Sequence, residues 1–572
     1  MTHSRGTQAG DAKREIDARA DAGGSIGPAV NGFADRWYAD GNRSRLLILA
    51  LPLLYLATTL LYSAQLAPWG RQVDPESVYA MNGLIMAAGY PSMMFGHPGT
   101  TTTLLVEIII RVWALVVRPE DIVAFGFRNF DAIVYAARTC EALILTGVLI
   151  AGGHLVGSAT RSVQAAMLFQ VAPFVHFDTF HFEMVLIPEA LMASAAILSM
   201  ALLVKTALDP NPPTVRLGVA SGLIFAFGFS SKYLFLPFAV LGINLLGNRR
   251  AFIAAGITGT IGFIVFNLVL NPGAITRGFG WMFSIATHKG SYGLGEPGYV
   301  DLNVFWPNMA NVLTAAPLIS GLYVVAALLS LARMLQSRGH FDPVSRALLS
   351  AFVIFAAQLV ATSKHFALHY MMASWVLAGG VLVLTIVQLR RVTSAIPAGT
   401  VAAAAAAFCA FLIATTLSEV RREAVETAAQ DDAAARLSSA VRKAGPACAN
   451  VASMHVRAPE NQMSFGWVMT MFPWGDQPMK DRFSASYARA FETPLLDQSD
   501  YSRALTRNFL PHTYAKLAAE YPCIIVRSQR QLNRENSSGL VELNPDHCRI
   551  GHTHVYAVGI ACSKIQSAFA GG

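Results

Sequence analysis

From Leu46 to Leu417 the chain runs as a series of apolar stretches separated by short polar breaks. Most of these stretches are about twenty residues long, enough for a helix to cross roughly 30 Å of hydrocarbon. Repetition of that pattern commits the middle of the chain to a membrane. Only 14% of the 572 residues are charged and 54% are apolar, whereas soluble domains carry about a quarter charged residues. The charges crowd into Met1–Ser44 and the region after Ser418.

The first span covers Leu46 to Leu66. Later ones fall at about 133–155, 163–177, 184–206, 214–230, 233–247, 251–271, 308–333, 345–363, 370–389 and 394–417. The expected fold is a polytopic α-helical membrane protein with about 11 transmembrane helices. Thr103 to Val117 is also apolar, but Glu107 and Arg111 stand one turn apart. That polar face favours a helix lying on the membrane surface over a further span. With the N-terminus inside, the inner loops collect Arg161, Lys205, Arg249, Arg250, Arg390 and Arg391, as the positive-inside rule requires. The first outer loop (about 67–132), the Asn271–Phe305 loop and the C-terminal region then share the outer, periplasmic side of a bacterial inner membrane.

Residues 1–44 have no apolar period and read as a disordered cytoplasmic tail. Residues 45–417 form the transmembrane domain. Residues 418–572 form a soluble periplasmic domain, α+β by its strand-like runs Cys523–Val526 and Val555–Ile560. Cys448, Cys523, Cys548 and Cys562 all fall in it and read as two disulfides in an oxidising compartment, with the pairing open. Zinc is the alternative, without a Cys-x-x-Cys to support it. The net charge of +8 sits in breaks between spans, with no basic stripe interleaved with aromatics, so nucleic acid is excluded as a partner.

The first outer loop carries Asp74-Pro-Glu76, Tyr79, and then Gly96-His97-Pro98-Gly99-Thr100. A carboxylate just past a span lies at the depth of a lipid-phosphate head group. There it can take a proton from an acceptor hydroxyl as a phosphate leaves. The plainer reading makes Asp74 and Glu76 the start of a helix.

Acidic-x-x-x-x-Tyr after the first span, followed by a Gly-rich stretch and His-Pro-Gly-Thr, resembles the GT-C superfamily. Within it the sequence is similar to bacterial protein O-mannosyltransferases and the lipid A aminoarabinose transferase. Ser221–Tyr233, Gly-rich and carrying Lys232, resembles the family's fifth helix. Lys364-His-Phe-Ala-Leu-His369-Tyr370 resembles its Arg/His-Tyr element. The resemblance covers about residues 45–390 and implies that Asp74 matches the catalytic acid. It also implies that His97-Pro98 matches a His/Lys-Pro-Pro element, with Gly99 departing from the second proline. The activity so implied is transfer of a sugar from a polyprenyl-phosphate-linked donor to a lipid, glycan or protein hydroxyl, with membrane lipids as surroundings.

Other groups on the same side are candidates for the donor phosphate and sugar. Lys232 lies at a membrane boundary against the positive-inside bias, as do Lys364 and His369. His288 and Lys289 stand among glycines and aromatics in the Asn271–Phe305 loop. Asp178, His181 and Glu183 put oxygen and imidazole donors within six residues and can hold a divalent cation, an optional cofactor. A polar turn is the plainer reading. Arg138 falls inside a span, where Glu141 is the expected partner. A secondary transporter is the rival function, but no internal repeat or mid-span acidic relay appears. A glycan polymerase or ligase of another membrane family is a second rival.

Overall fold

The computed structural model describes residues 41–67, 76–93, 99–271, 274–290, 295–393, 397–453, 456–458, 463, 466, 470, 475–491, 494–498, 505–508, 510–529, 531–532 and 539–570. Asp74 and His97 lie outside them.

Among the described residues, eight helices are long and apolar enough to cross a membrane, and a bent pair, Leu368–Trp375 with Ala378–Val392, makes a ninth. Two shorter apolar helices, Val215–Ser231 and Tyr233–Leu245, pack among them. The chain is a polytopic α-helical membrane protein. Several expected spans are broken, and proline is the reason. Residues 163–177 divide into Val163–Gln170, a 3-10 turn Ala172–Phe174 containing Pro173, and the seven-residue helix Phe177–Glu183. The next helix begins at Pro188. Tyr233–Leu245 is a 3-10 helix with Pro237 inside. A proline lacks the amide an α-helix needs at that point, and at this depth neighbouring protein must satisfy what is freed. Thr100–Val117, expected on the surface, passes the same length and hydropathy test as the spans. Its Glu107–Arg111 pair, at 2.7 Å, is the partly exposed side of the helix.

The last span does not stop at the membrane boundary. Ala398–Ala444 is one helix of 47 residues, about 70 Å at 1.5 Å per residue. Its far half leads into a seven-stranded mixed sheet of order β4-β3-β2-β1-β5-β7-β6: β1 Ala449–Ser453, β2 Leu496–Gln498, β3 Leu505–Arg507, β4 Leu510–His512, β5 Ile524–Ser528, β6 Asp546–Ile550 and β7 Thr553–Val558. β1 runs parallel to β2 and β5, and the other pairs are antiparallel. One face buries Ile525, Val555 and Ala557 against Leu437 and Val441 of the long helix and Ile565 of the final helix, Cys562–Ala570. The expected disulfides are both present, as Cys448–Cys523 and Cys548–Cys562.

Candidate active site

Within the first outer loop a helix begins at Glu76 and is buried at every residue to Ala87. Burial of a carboxylate demands a partner, and Arg138 supplies it. The Arg138 Nε donates to Glu76 Oε1 at 2.6 Å, and Nη2 pairs with Oε2. The Leu186 amide donates to the same carboxylate at 2.5 Å. Arg138 Nη1 also donates to the carbonyls of Ser63 and Leu66 at 2.9 and 2.7 Å. One guanidinium therefore ties the end of the first span to the start of the first helix in the loop. The expected Arg138–Glu141 pair is not formed. The planar fork of Arg138 instead meets Glu76 side-on, and Glu141 accepts from Thr102 Oγ1 at 3.3 Å.

A second buried pair forms where Val215–Ser231 ends. Lys232 caps that helix, its side chain is 5% exposed, and its ammonium pairs with Glu189. Glu189 sits in the first turn of the helix that Pro188 opens. The Tyr370 ring lies 4.6 Å from Lys232 Nζ, and His369 Nε2 stands 3.7 Å from Glu189 Oε1. Lys232, His369 and Tyr370, far apart in the chain, are brought to one place as expected. Glu189 is the member that reading the sequence did not single out. Its signal was an acid just past a proline at the start of a span.

The His-Pro-Gly-Thr element ends beside this cluster. Gly99 has φ 47°, and a Cβ there would come 2.9 Å from the Tyr79 ring and 3.3 Å from Pro188. Proline is locked near −65°, so the residue that departs from the family pattern is one this backbone forbids from being proline. Tyr79 is fully buried and packs against that turn. Gly99→Ala is expected to lose about 1–3 kcal/mol of stability through left-handed backbone and the clash together; thermal unfolding in detergent measures it, and an unchanged midpoint contradicts the geometry. Thr100 to Thr103 follow, all buried. Thr101 Oγ1 donates to Ser231 Oγ at 2.7 Å, Asn271 donates to Thr100 Oγ1 at 3.1 Å, and Asn267 donates to Ser230 Oγ at 2.7 Å. This polar layer joins the first loop to the Lys232 helix at membrane depth, where unfilled hydrogen bonds are expensive.

The remaining candidates are placed differently. Lys364 Nζ donates to the Ile285 and Ala286 carbonyls at 2.5 and 3.0 Å. It thereby caps the C-terminus of helix Ala274–Thr287, a common use of lysine. His288 bonds Ser284 O at 3.0 Å, and Lys289 reaches Glu296 at 4.0 Å, both inside their own loop. Asp178 pairs with His176 at 3.6 Å. Glu183 is buried with neither carboxylate oxygen hydrogen-bonded, and the His181 ring packs edge-on against Phe182. Among the described residues no three His, Cys, Asp or Glu side chains converge as a metal site. Asp178, His181 and Glu183 do not form one by themselves.

No family model and no curated protein match the chain. Among solved structures it is similar to ArnT from Cupriavidus metallidurans. The apo-state crystal structure aligns at a TM-score of 0.44 and 15% identity, covering 89% of this chain and 98% of that one. The crystal structure of ArnT bound to undecaprenyl phosphate aligns at 0.43 and 13%, with the same coverage.

The first-loop helices also meet the C-terminal region, which the sequence did not announce. Helix Gln477–Ala490 of the C-terminal region lays Met479, Phe483 and Tyr487 into the same apolar core as the membrane helices. Phe127 meets Phe483 and Tyr487 edge-on at 5.9 and 5.4 Å. Arg489 pairs with Asp121 at 2.9 Å, and Arg482 donates to the Ala88 carbonyl at 3.0 Å. Burial alone would raise the Asp121 carboxyl, but hydrogen bonds from Ser486 and two amides, with Arg489 beside it, hold it below its ordinary value. The C-terminal domain thus sits on the first-loop helices that carry the candidate site.

Proposed function

We propose that the chain is a GT-C-type glycosyltransferase. It takes a sugar from a polyprenyl-phosphate-linked donor and transfers it to a hydroxyl of a lipid, glycan or protein at the membrane face carrying the first loop. The observation that carries this reading is the gathering of Lys232, Glu189, His369 and Tyr370 in one buried cluster beneath that loop. Buried ion pairs at membrane depth are costly and mark functional sites. A transporter would need them near mid-membrane in two matching halves, and here they lie at one end.

In the proposed reaction the acceptor oxygen forms a bond to the anomeric carbon as the bond from that carbon to the phosphate oxygen breaks. Asp74 receives the acceptor's proton, and the polyprenyl phosphate leaves with the bonding pair. Lys232, fixed by Glu189 and Tyr370, opposes the charge that grows on the phosphate without having to reorganise. Arg138 holds Glu76, where the helix that follows Asp74 in the chain begins. His97 is assigned to the phosphate as well, and Tyr79 to the floor of the loop. The prenyl chain suits the apolar space between spans. A cavity of about 320 Å³ lined by Leu203, Phe225, Phe238, Leu245 and Phe252 lies among helices Pro188–Leu208, Val215–Ser231 and Arg249–Ile264. A divalent cation, if one takes part, would need Asp74 or substrate oxygens to complete its ligands.

Lys232→Met tests the assignment. It keeps the length and apolar body of the side chain and removes the charge. The expected result is a fall of about 10²–10³ in kcat for transfer, read in membranes normalised for protein. Unchanged turnover removes Lys232 from the reaction.

A further inference from the structure

β6 lies at the edge of the C-terminal sheet and pairs with β7 so that His547 faces Tyr556 and Arg549 faces His554. Side chains alternate along both strands. Ile550, Val555 and Ala557 turn to the core under the long helix, which leaves His547 and His554 together on the opposite face. Their rings lie parallel within 7°, with centroids 5.3 Å apart, and His547 stacks on Tyr556 at 4.6 Å. His547 Nε2 and His554 Nδ1 share a hydrogen bond of 3.1 Å, whose proton a metal ion bound by both nitrogens would replace.

We propose that His547 and His554 are two ligands of a site for a borderline divalent transition-metal ion, Zn²⁺ being the probe. Imidazole suits such ions. Nitrogens bound to one zinc at about 2.0–2.1 Å stand about 2.9–3.4 Å apart for angles between square and tetrahedral, and the observed separation falls within that interval. Water or a ligand from solution completes the coordination, which the exposed edge strand permits.

The frame is held in advance. Cys548, between the two histidine-bearing positions, is bonded to Cys562, and the Cys562 amide donates to Asp546 at 2.7 Å. Binding therefore requires little ordering of the chain. Imidazoles must be neutral to ligate. Partial burial, then the neighbouring His547 and Arg549, lower the proton affinity of His554. Arg549 is the opposing charge on this face, and its Nε is turned to the Gly551 carbonyl at 3.1 Å.

Calorimetric titration of Zn²⁺ into the full-length detergent-solubilised protein, in metal-free buffer, tests the site. The wild type is expected to bind one more ion per chain than His547→Ala/His554→Ala. Either single variant should weaken that event at least about tenfold, since even changes outside the ligands reach that size. His552→Ala, in the adjoining turn, should leave it unchanged. Without any substitution, Zn²⁺ should also protect His547 and His554 of the wild type from acylation, as read by mass spectrometry. Superimposable isotherms for wild type and double variant, or no protection, overturn the proposal.

Discussion

Asp74→Asn is expected to lower sugar transfer by about 10²–10⁴-fold, the range a positioned general base contributes. Asparagine keeps the size and the helix-start geometry but cannot accept the proton of the incoming hydroxyl. The loss should therefore appear in kcat, with protein level and donor binding retained. Glu76→Gln makes the informative contrast. Both oxygens of Glu76 are already engaged by Arg138 and the Leu186 amide, so its loss should lower the amount of folded protein along with activity. If Asp74→Asn transfers sugar at the wild-type rate, Asp74 is only a helix start.

The second large effect belongs to Arg138. Arg138→Met is expected to destabilise the protein by about 3–5 kcal/mol, because Glu76 is then left buried and unpaired. The Ser63 and Leu66 carbonyls lose a donor at the same time. Arg138→Met/Glu76→Leu removes both charges and should recover much of that loss, as apolar replacement of a buried pair often does. Unfolding in detergent of the four proteins in this cycle gives the coupling. Additive effects would show that the pair does not hold the first loop.

Composition and periodicity carried the architecture, because a span announces itself by length and lack of charge alone. They misjudged continuity where Pro173 and Pro237 interrupt apolar runs, since hydropathy does not register a missing amide. Lys232, His369 and Tyr370 were legible as polar groups at span ends. Glu189, the partner of Lys232 and His369, was not, because nothing local says which of several acids a lysine will meet. Arg138 shows the same limit. Glu141 is three positions away and Glu76 is 62, yet the fork geometry and the packing of the first-loop helix Glu76–Ala87 decide for the distant one. Lys364 could be recognised as a boundary lysine, but its engagement as a helix cap depends on where Ala274–Thr287 ends. The docking of Gln477–Ala490 on the first loop rests on long-range contacts such as Phe127 with Phe483, for which a single sequence carries no period or motif.

The most direct test of the central claim is release of polyprenyl phosphate by the purified protein in liposomes supplied with polyprenyl-phosphate-linked sugars and a hydroxyl-bearing acceptor extract. The account predicts release matched one for one by sugar incorporated into acceptor, and loss of both in Asp74→Asn. Absence of release from every donor tried, together with protein-dependent movement of a solute across the liposome membrane, would contradict it.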